Sequence, residues 1–143
     1  GVIKYLLDND KIQHEYVKHY TNASFLIHEG FGFEDGLFTG YNPETRSYDK
    51  STWSYQLDEN GQPKRDMTLQ DPRCVINLLK KHVERYTPEM IERVCGTKQK
   101  AFQEFAETIA STADPKRTTT FLYASYGGCT KYSFNGDDPV AFR

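Results

Sequence analysis

The sequence predicts a helix-rich α/β fold with one clear strand (118–124), a possible hairpin (52–67) and a long irregular loop. Three observations predict it. Apolar residues recur at helical spacing from Val2 to Tyr20 and again from Val75 to Ile109. The run Thr118-Thr119-Thr120-Phe121-Leu122-Tyr123 is β-branched and aromatic, and it leads into Gly127-Gly128. Between these stretches, from about His28 to Gln70, no apolar face repeats. Helices feeding a strand that ends in glycines are expected to form one αβ unit of a layered sheet, whose other strands come from elsewhere. The expected organisation is a single partial domain over 1–143: a helical start (1–27), a long loop with a hairpin (28–70), helices plus strand (71–124) and a tail (125–143).

Val2, Ile3, Leu6 and Leu7 share one face of a first helix that should stop near Asn9. Asp10 is placed to cap a second helix, with Gln13 as its capping-box partner and Ile12, Tyr16, Val17 and Tyr20 as the buried stripe. Ser24 to Ile27 is a short apolar run, and Gly30, Gly32 and Gly36 mark the entry to the loop. Loops without structure of their own rarely exceed about 12 to 15 residues in compact domains, so this one needs a surface that a chain of this size is too small to supply. Asn60-Gly61 should join Thr52–Leu57 to Gln62–Met67 through a type I′ turn, in which both central residues take positive φ.

Asp71-Pro72 should open the next helix, with Asp as cap and Pro at the first position, where its missing N–H costs nothing. Val75, Leu78, Leu79, Val83 and Tyr86 line its face. Thr87-Pro88-Glu89 starts another helix by the same logic, and Gly96 is its left-handed stop. Ala101, Phe102, Phe105, Ala106 and Ile109 form the stripe of a last helix running to about Thr112, before a turn at Asp114-Pro115. There is no internal repeat and no low-complexity stretch.

At 143 residues one domain is expected. Apolar supply is thin, at 37% hydrophobic with a mean hydropathy of −0.74, while aromatics reach 14%. Burial must therefore lean on Tyr and Phe, whose polar tips suit contact surfaces. The 18 basic and 20 acidic residues leave a net charge of −2, so no global field draws in nucleic acid or an anionic membrane. No apolar run approaches the roughly 18 residues of a membrane span, and direct membrane insertion is not expected. No basic-then-apolar leader precedes the first helix, but a chain opening Gly1-Val2-Ile3 says nothing by this about its compartment.

Cys74, Cys95 and Cys129 match neither a close-spaced zinc site nor a paired disulfide framework, and read as ordinary thiols. His14-Glu15 with His19 lacks the i, i+4 histidines of a zinc protease; residues five apart on a helix point about 140° apart. His82 lies on an apolar stripe and reads as a core or interface histidine bonded to a backbone carbonyl. Glu34-Asp35 and Asp137-Asp138 pair carboxylates, as acid–base or calcium chemistry requires, but without an EF-hand ladder they read as hydrated loop acids. Phe31, Phe33, Phe38, Tyr41, Tyr48, Trp53 and Tyr55 could stack on sugars or nucleobases; clamping the loop onto a neighbouring domain is the preferred reading. Gly127-Gly128 is a ligand-binding candidate, because open α/β sheets bind ligands beyond the carboxyl ends of their strands. It lacks the third glycine and following helix of a dinucleotide fingerprint, and an ordinary turn is the plainer alternative. No Ser/His/Asp or Cys/His arrangement is readable; His14, His19, His28 and His82 could meet Cys129 only through the fold.

Tyr20-Thr21-Asn22-Ala23-Ser24, Asp35-Gly36-Leu37-Phe38, Gly40-Tyr41, Arg46-Ser47-Tyr48-Asp49-Lys50-Ser51-Thr52-Trp53, Pro63-Lys64-Arg65-Asp66 and Pro72-Arg73-Cys74 read as successive pieces of one family. They resemble the catalytic subunit of molybdenum- or tungsten-dependent formate dehydrogenase, among the bis-molybdopterin guanine dinucleotide oxidoreductases. Tyr86-Thr87-Pro88-Glu89 through Gly96-Thr97 resembles the wider molybdopterin family more loosely. The resemblance spans nearly the whole chain. It implies an internal, helix-rich piece of a layered αβα molybdopterin-binding domain, in a subunit that oxidises formate to carbon dioxide by two electrons. It also implies an iron–sulfur electron-transfer subunit as partner and a periplasmic address.

In that family the metal is held by two pterin dithiolenes and a Cys or selenocysteine, with a His and an Arg near the substrate. Those motifs lie outside the present segment, as does the four-cysteine iron–sulfur motif. No catalytic residue and no metal ligand is therefore carried over, and the cofactor is expected only in the complete subunit. After the strand the family has Gly-Trp-Thr-Gln-His, a loop at the pterin, where this chain has Gly128-Cys129-Thr130-Lys131-Tyr132. On that match Gly128, Thr130 and Lys131 are the cofactor-binding candidates. The alternative is a non-catalytic binding or assembly domain derived from the same segment, docking a partner through its aromatic loop.

Overall fold

A computed structural model describes residues 1–113, Lys116 and the backbone of strands 121–123 and 140–142. Helix α1 (Val2–Asp8) ends at Asn9 as expected. The chain then reverses through Asp10, which takes a left-handed φ of 53°, and Lys11 N–H returns to the Leu6 carbonyl at 2.8 Å. An N-cap residue needs extended backbone, so Asp10 cannot cap the next helix. Helix α2 (His14–Tyr20) starts later, behind Gln13, with no side-chain cap, and the expected capping box is absent. Nor is its stripe buried: Tyr16 and Tyr20 are 57% and 78% exposed, with their rings stacked at 5.4 Å.

Ser24–His28 forms the spine of the middle region by alternating its backbone groups between two neighbours, as an extended segment of period two does. On one side Asp66 N–H reaches the Ser24 carbonyl (2.8 Å), Leu26 N–H the Lys64 carbonyl (3.0 Å), Gln56 N–H the Leu26 carbonyl (2.8 Å) and His28 N–H the Ser54 carbonyl (2.9 Å). On the other, Ile27 N–H meets the Arg73 carbonyl (2.9 Å) and Val75 N–H the Phe25 carbonyl (3.0 Å). The expected hairpin does pair, at Leu57 with Pro63. Its turn differs from the type I′ expectation, because Asn60 is not left-handed. Asp58 instead organises it: its carbonyl accepts Gly61 N–H (3.0 Å), its Oδ1 accepts the amides of Asn60 (2.9 Å) and Gln62 (2.8 Å), and Gly61 closes the turn at φ 73°.

The stretch expected to be structureless holds two more hairpins. Strands β1 (Phe33–Glu34) and β2 (Leu37–Phe38) pair antiparallel across Asp35 (φ 49°) and Gly36 (φ 83°). This is the two-residue turn whose left-handed positions Asp35-Gly36 fits, so Asp35 serves the turn. Strands β3 (Tyr41–Asn42) and β4 (Ser47–Tyr48) pair antiparallel across a loop in which Asn42 Oδ1 accepts the amides of Glu44 (2.9 Å) and Thr45 (3.2 Å). Gly40, at φ 87°, brings its backbone against Asp49, where any Cβ would collide with the Asp49 carbonyl oxygen.

Asp71-Pro72 turns the chain but does not start a helix: Asp71 Oδ1 accepts Arg73 N–H (2.7 Å) and its carbonyl accepts Cys74 N–H (3.0 Å). Cys74 must stay extended (ψ 140°) to bridge Leu26, so α3 (Val75–Val83) begins after it. Helix α4 (Pro88–Cys95) follows its sequence signals: Thr87 Oγ1 accepts Met90 N–H (3.3 Å), Pro88 opens the first turn and Gly96 ends it at φ 73°. Helix α5 (Gln99–Ala110) buries Phe102, Ala106 and Ala110, one stripe at i, i+4, i+8, while Phe105 is left largely exposed. α1 packs on α3 and α5, and α4 on α5, with the Glu92 carboxylate receiving Lys98 (2.7 Å) and Gln99 (3.0 Å) across the α4–α5 turn.

Strands β5 (Phe121–Tyr123) and β6 (Val140–Phe142) pair antiparallel. The expected strand is thus present at its centre, but its partner is an antiparallel strand drawn from the expected tail, not a parallel neighbour in a layered sheet. The fold is α/β with small antiparallel ladders among its described residues.

Candidate functional site

Six of the seven aromatics named from the sequence converge into one cluster over α3. The Trp53 ring meets Phe38 at 5.4 Å, Tyr48 at 5.2 Å and Phe31 at 6.3 Å; Phe33 meets Phe38 at 4.9 Å and Tyr41 meets Tyr48 at 5.2 Å. Trp53 Nε1 donates to the Thr39 carbonyl (3.0 Å) and Lys50 Nζ stands 5.4 Å from its ring. The rings are largely edge-on or tilted, the arrangement their quadrupoles favour. Tyr55 lies apart: its ring meets Phe25 at 4.9 Å and its hydroxyl accepts Asn22 Nδ2 at 2.9 Å. Phe33 joins the cluster to α3 and the residues after it, through His82 at 5.0 Å and the Arg85 guanidinium at 5.2 Å. His82 is thus an aromatic contact, and that ring packing replaces the carbonyl bond expected of it.

Two anchors hold this loop, and sequence reasoning missed both. Arg73 Nε donates to the Ile27 carbonyl (3.3 Å), and its Nη2 donates to the carbonyls of His28 and, at 3.0 Å, Phe31. One planar fork thereby ties the loop entrance to the start of α3. Asp66 receives Thr68 N–H (2.8 Å) and hydroxyl (2.6 Å) on Oδ1 and the amides of Gln70 (2.9 Å) and Asp71 (2.8 Å) on Oδ2. Led by the Thr68 hydroxyl, these bonds hold its carboxyl at about 2, below the ordinary 3.8. An Asp-x-Thr turn signal at Asp66-Met67-Thr68 was available to find it; the partners of Arg73 are more than 40 residues away and carry no local mark.

The other candidates stay separate. His14 Nε2 meets Asp10 Oδ1 at 2.7 Å and His19 Nε2 meets Glu15 Oε2 at 3.5 Å, both on an exposed helix surface. Cys74 is fully buried, with Sγ 3.8 Å from the Ser24 carbonyl; burial first, then the charges of Asp66 and Asp71, push its thiol pKa up. Cys95 is exposed. No group of three His, Cys, Asp or Glu side chains could hold a metal among the described residues. Gly127, Gly128, Cys129, Thr130, Lys131, Asp137 and Asp138 lie outside the described residues. A shallow groove of about 410 Å³ runs between α1, α2 and the end of α5, lined by Leu6, Ile12, Tyr16, Val17 and Ile109. What the cluster offers is a partly exposed, largely apolar platform edged by His82, Arg85 and Lys50.

No family model matches the chain. It is 67% identical over 133 residues, 93% of its length, to the formate dehydrogenase major subunit of Haemophilus influenzae. The chain is homologous to one segment of the formate dehydrogenase major subunit. It is also 63% identical over 87% of its length to the nitrate-inducible formate dehydrogenase major subunit of Escherichia coli, and 57% identical over 93% to the formate dehydrogenase-O major subunit of that organism. The chain spans only 12 to 13% of the length of these formate dehydrogenase relatives. No described helix is long and apolar enough to cross a membrane.

Proposed function

We propose that this chain is a structural segment of a formate dehydrogenase catalytic subunit, an oxidoreductase that takes formate to carbon dioxide, a proton and two electrons. The observation that carries the reading is the 67% identity to one segment of such a subunit. The segment contributes helices, ladders and the Trp53-centred platform as packing surface, and does not by itself oxidise formate. The complete subunit holds molybdopterin guanine dinucleotide with molybdenum or tungsten, passes electrons to an iron–sulfur subunit and works in the periplasm.

The described residues of this segment do not fit the metal. The buried thiol of Cys74 has its pKa pushed up, which opposes the thiolate a metal needs, and Cys95 belongs to no group of three candidate donors among the described residues. Gly128, Thr130 and Lys131 stand as the proposed contacts to the pterin. Native mass spectrometry of the undenatured protein, with collisional release of subunits and cofactors, tests the assignment. Release of this sequence from a much heavier particle carrying pterin and metal is the expected result. A lone 16.5 kDa species overturns it.

A further inference from the structure

We propose that the Tyr16–Tyr20 face of α2, with the groove beside it, is an internal interface covered by the rest of the subunit's own polypeptide. The inference rests on the reading of this chain as a formate dehydrogenase segment. The helix has two faces. Its polar face is satisfied by its own neighbours: Lys18 pairs with Glu15 at 3.8 Å, His19 with Glu15 at 3.5 Å and His14 with Asp10 at 2.7 Å. Its other face carries Tyr16, Val17 and Tyr20, with Ile12 just ahead of the helix, yet both tyrosine rings stand in the open, Tyr16 lining the Leu6–Ile109 groove and Tyr20 stacked on Tyr16.

A helix of seven residues is too short to persist on hydrogen bonding alone, and α2 buries none of its residues in the described structure. It needs a cover. A second copy of the chain is a poor one, because a stable dimer interface takes about 20 to 30 residues a side and this face offers a handful. A segment of the same polypeptide needs no such area, since its effective concentration is set by the chain that tethers it. The comparison supplies that polypeptide. The match takes 133 of the 143 residues, so a gap at either end stops short of His14, and the segment is only 13% of that subunit's length. The occupant is therefore an apolar or aromatic segment in cis that offers acceptors to the two tyrosine hydroxyls.

Hydroxyl-radical footprinting of the native particle, read by peptide mass spectrometry, tests this. Tyr16 and Tyr20 should resist oxidation in the intact particle and become oxidised once it is unfolded in denaturant. A heavy particle in which both tyrosines oxidise as fast as in denaturant overturns the interface and leaves the parent assignment standing. A lone chain, or a species of twice its 16.5 kDa mass, overturns both.

Discussion

Asp66 shows how one carboxylate can order a turn. Its four hydrogen bonds all require an acceptor, so ionisation and local structure are linked. The folded value, about 2, lies below the ordinary 3.8, so the contribution is complete above about pH 4 and is lost as pH falls through about 2. Amide exchange at Thr68, Gln70 and Asp71 should accelerate across that window, and Asp66→Asn should produce the same change at neutral pH by removing the acceptors of one side. Unaltered exchange in D66N would refute the role. Cys74 and Cys95 should differ in reactivity: iodoacetamide should label exposed Cys95 and spare buried Cys74, whose thiol pKa is raised, until the chain unfolds. At Gly40, Gly→Ala should cost at least about 1 to 3 kcal/mol, for a left-handed φ and for the collision with the Asp49 carbonyl, as a denaturant titration would measure.

Among the elements, α4 was fully legible, because Thr87, Pro88 and Gly96 act within one turn of where they stand. α2 and α3 were displaced for a shared reason. Asp10 and Asp71 are both good caps in isolation, but each is claimed by a turn, Asp10 by its left-handed reversal and Asp71 by Arg73 and Cys74. The α5 stripe was readable in type but wider than the buried line, since only the i, i+4, i+8 positions Phe102, Ala106 and Ala110 are buried. Ala106 has no exposed surface in that line. Ala106→Leu should therefore overpack the contact and cost about 1 to 3 kcal/mol, seen as a lowered Tm without loss of far-UV helical signal.

At the scale of the molecule, the long loop couples to the helices through Arg73 and Phe33. Arg73→Lys keeps the charge but loses the fork, so hydrogen exchange over residues 31–53 should quicken while α4 and α5 stay protected. Equal exchange in both regions would show that the loop holds itself. The sequence alone determined that α4 and α5 form where they do and that the chain resembles a formate dehydrogenase segment. Those features are local: caps, glycine stops, stripe spacing and short motifs are complete within a few residues. The tertiary structure decided the two loop hairpins' role in gathering Trp53, Phe38 and Tyr48, the late starts of α2 and α3, and the exposure of Tyr16 and Tyr20. The gathered rings and the late start of α3 depend on segments far apart in the chain, with Ser24–His28 placed between the 54–66 hairpin and Arg73–Val75. Backbone pairing across such distances is chosen by which groups are left to be satisfied, and no window of sequence records that competition.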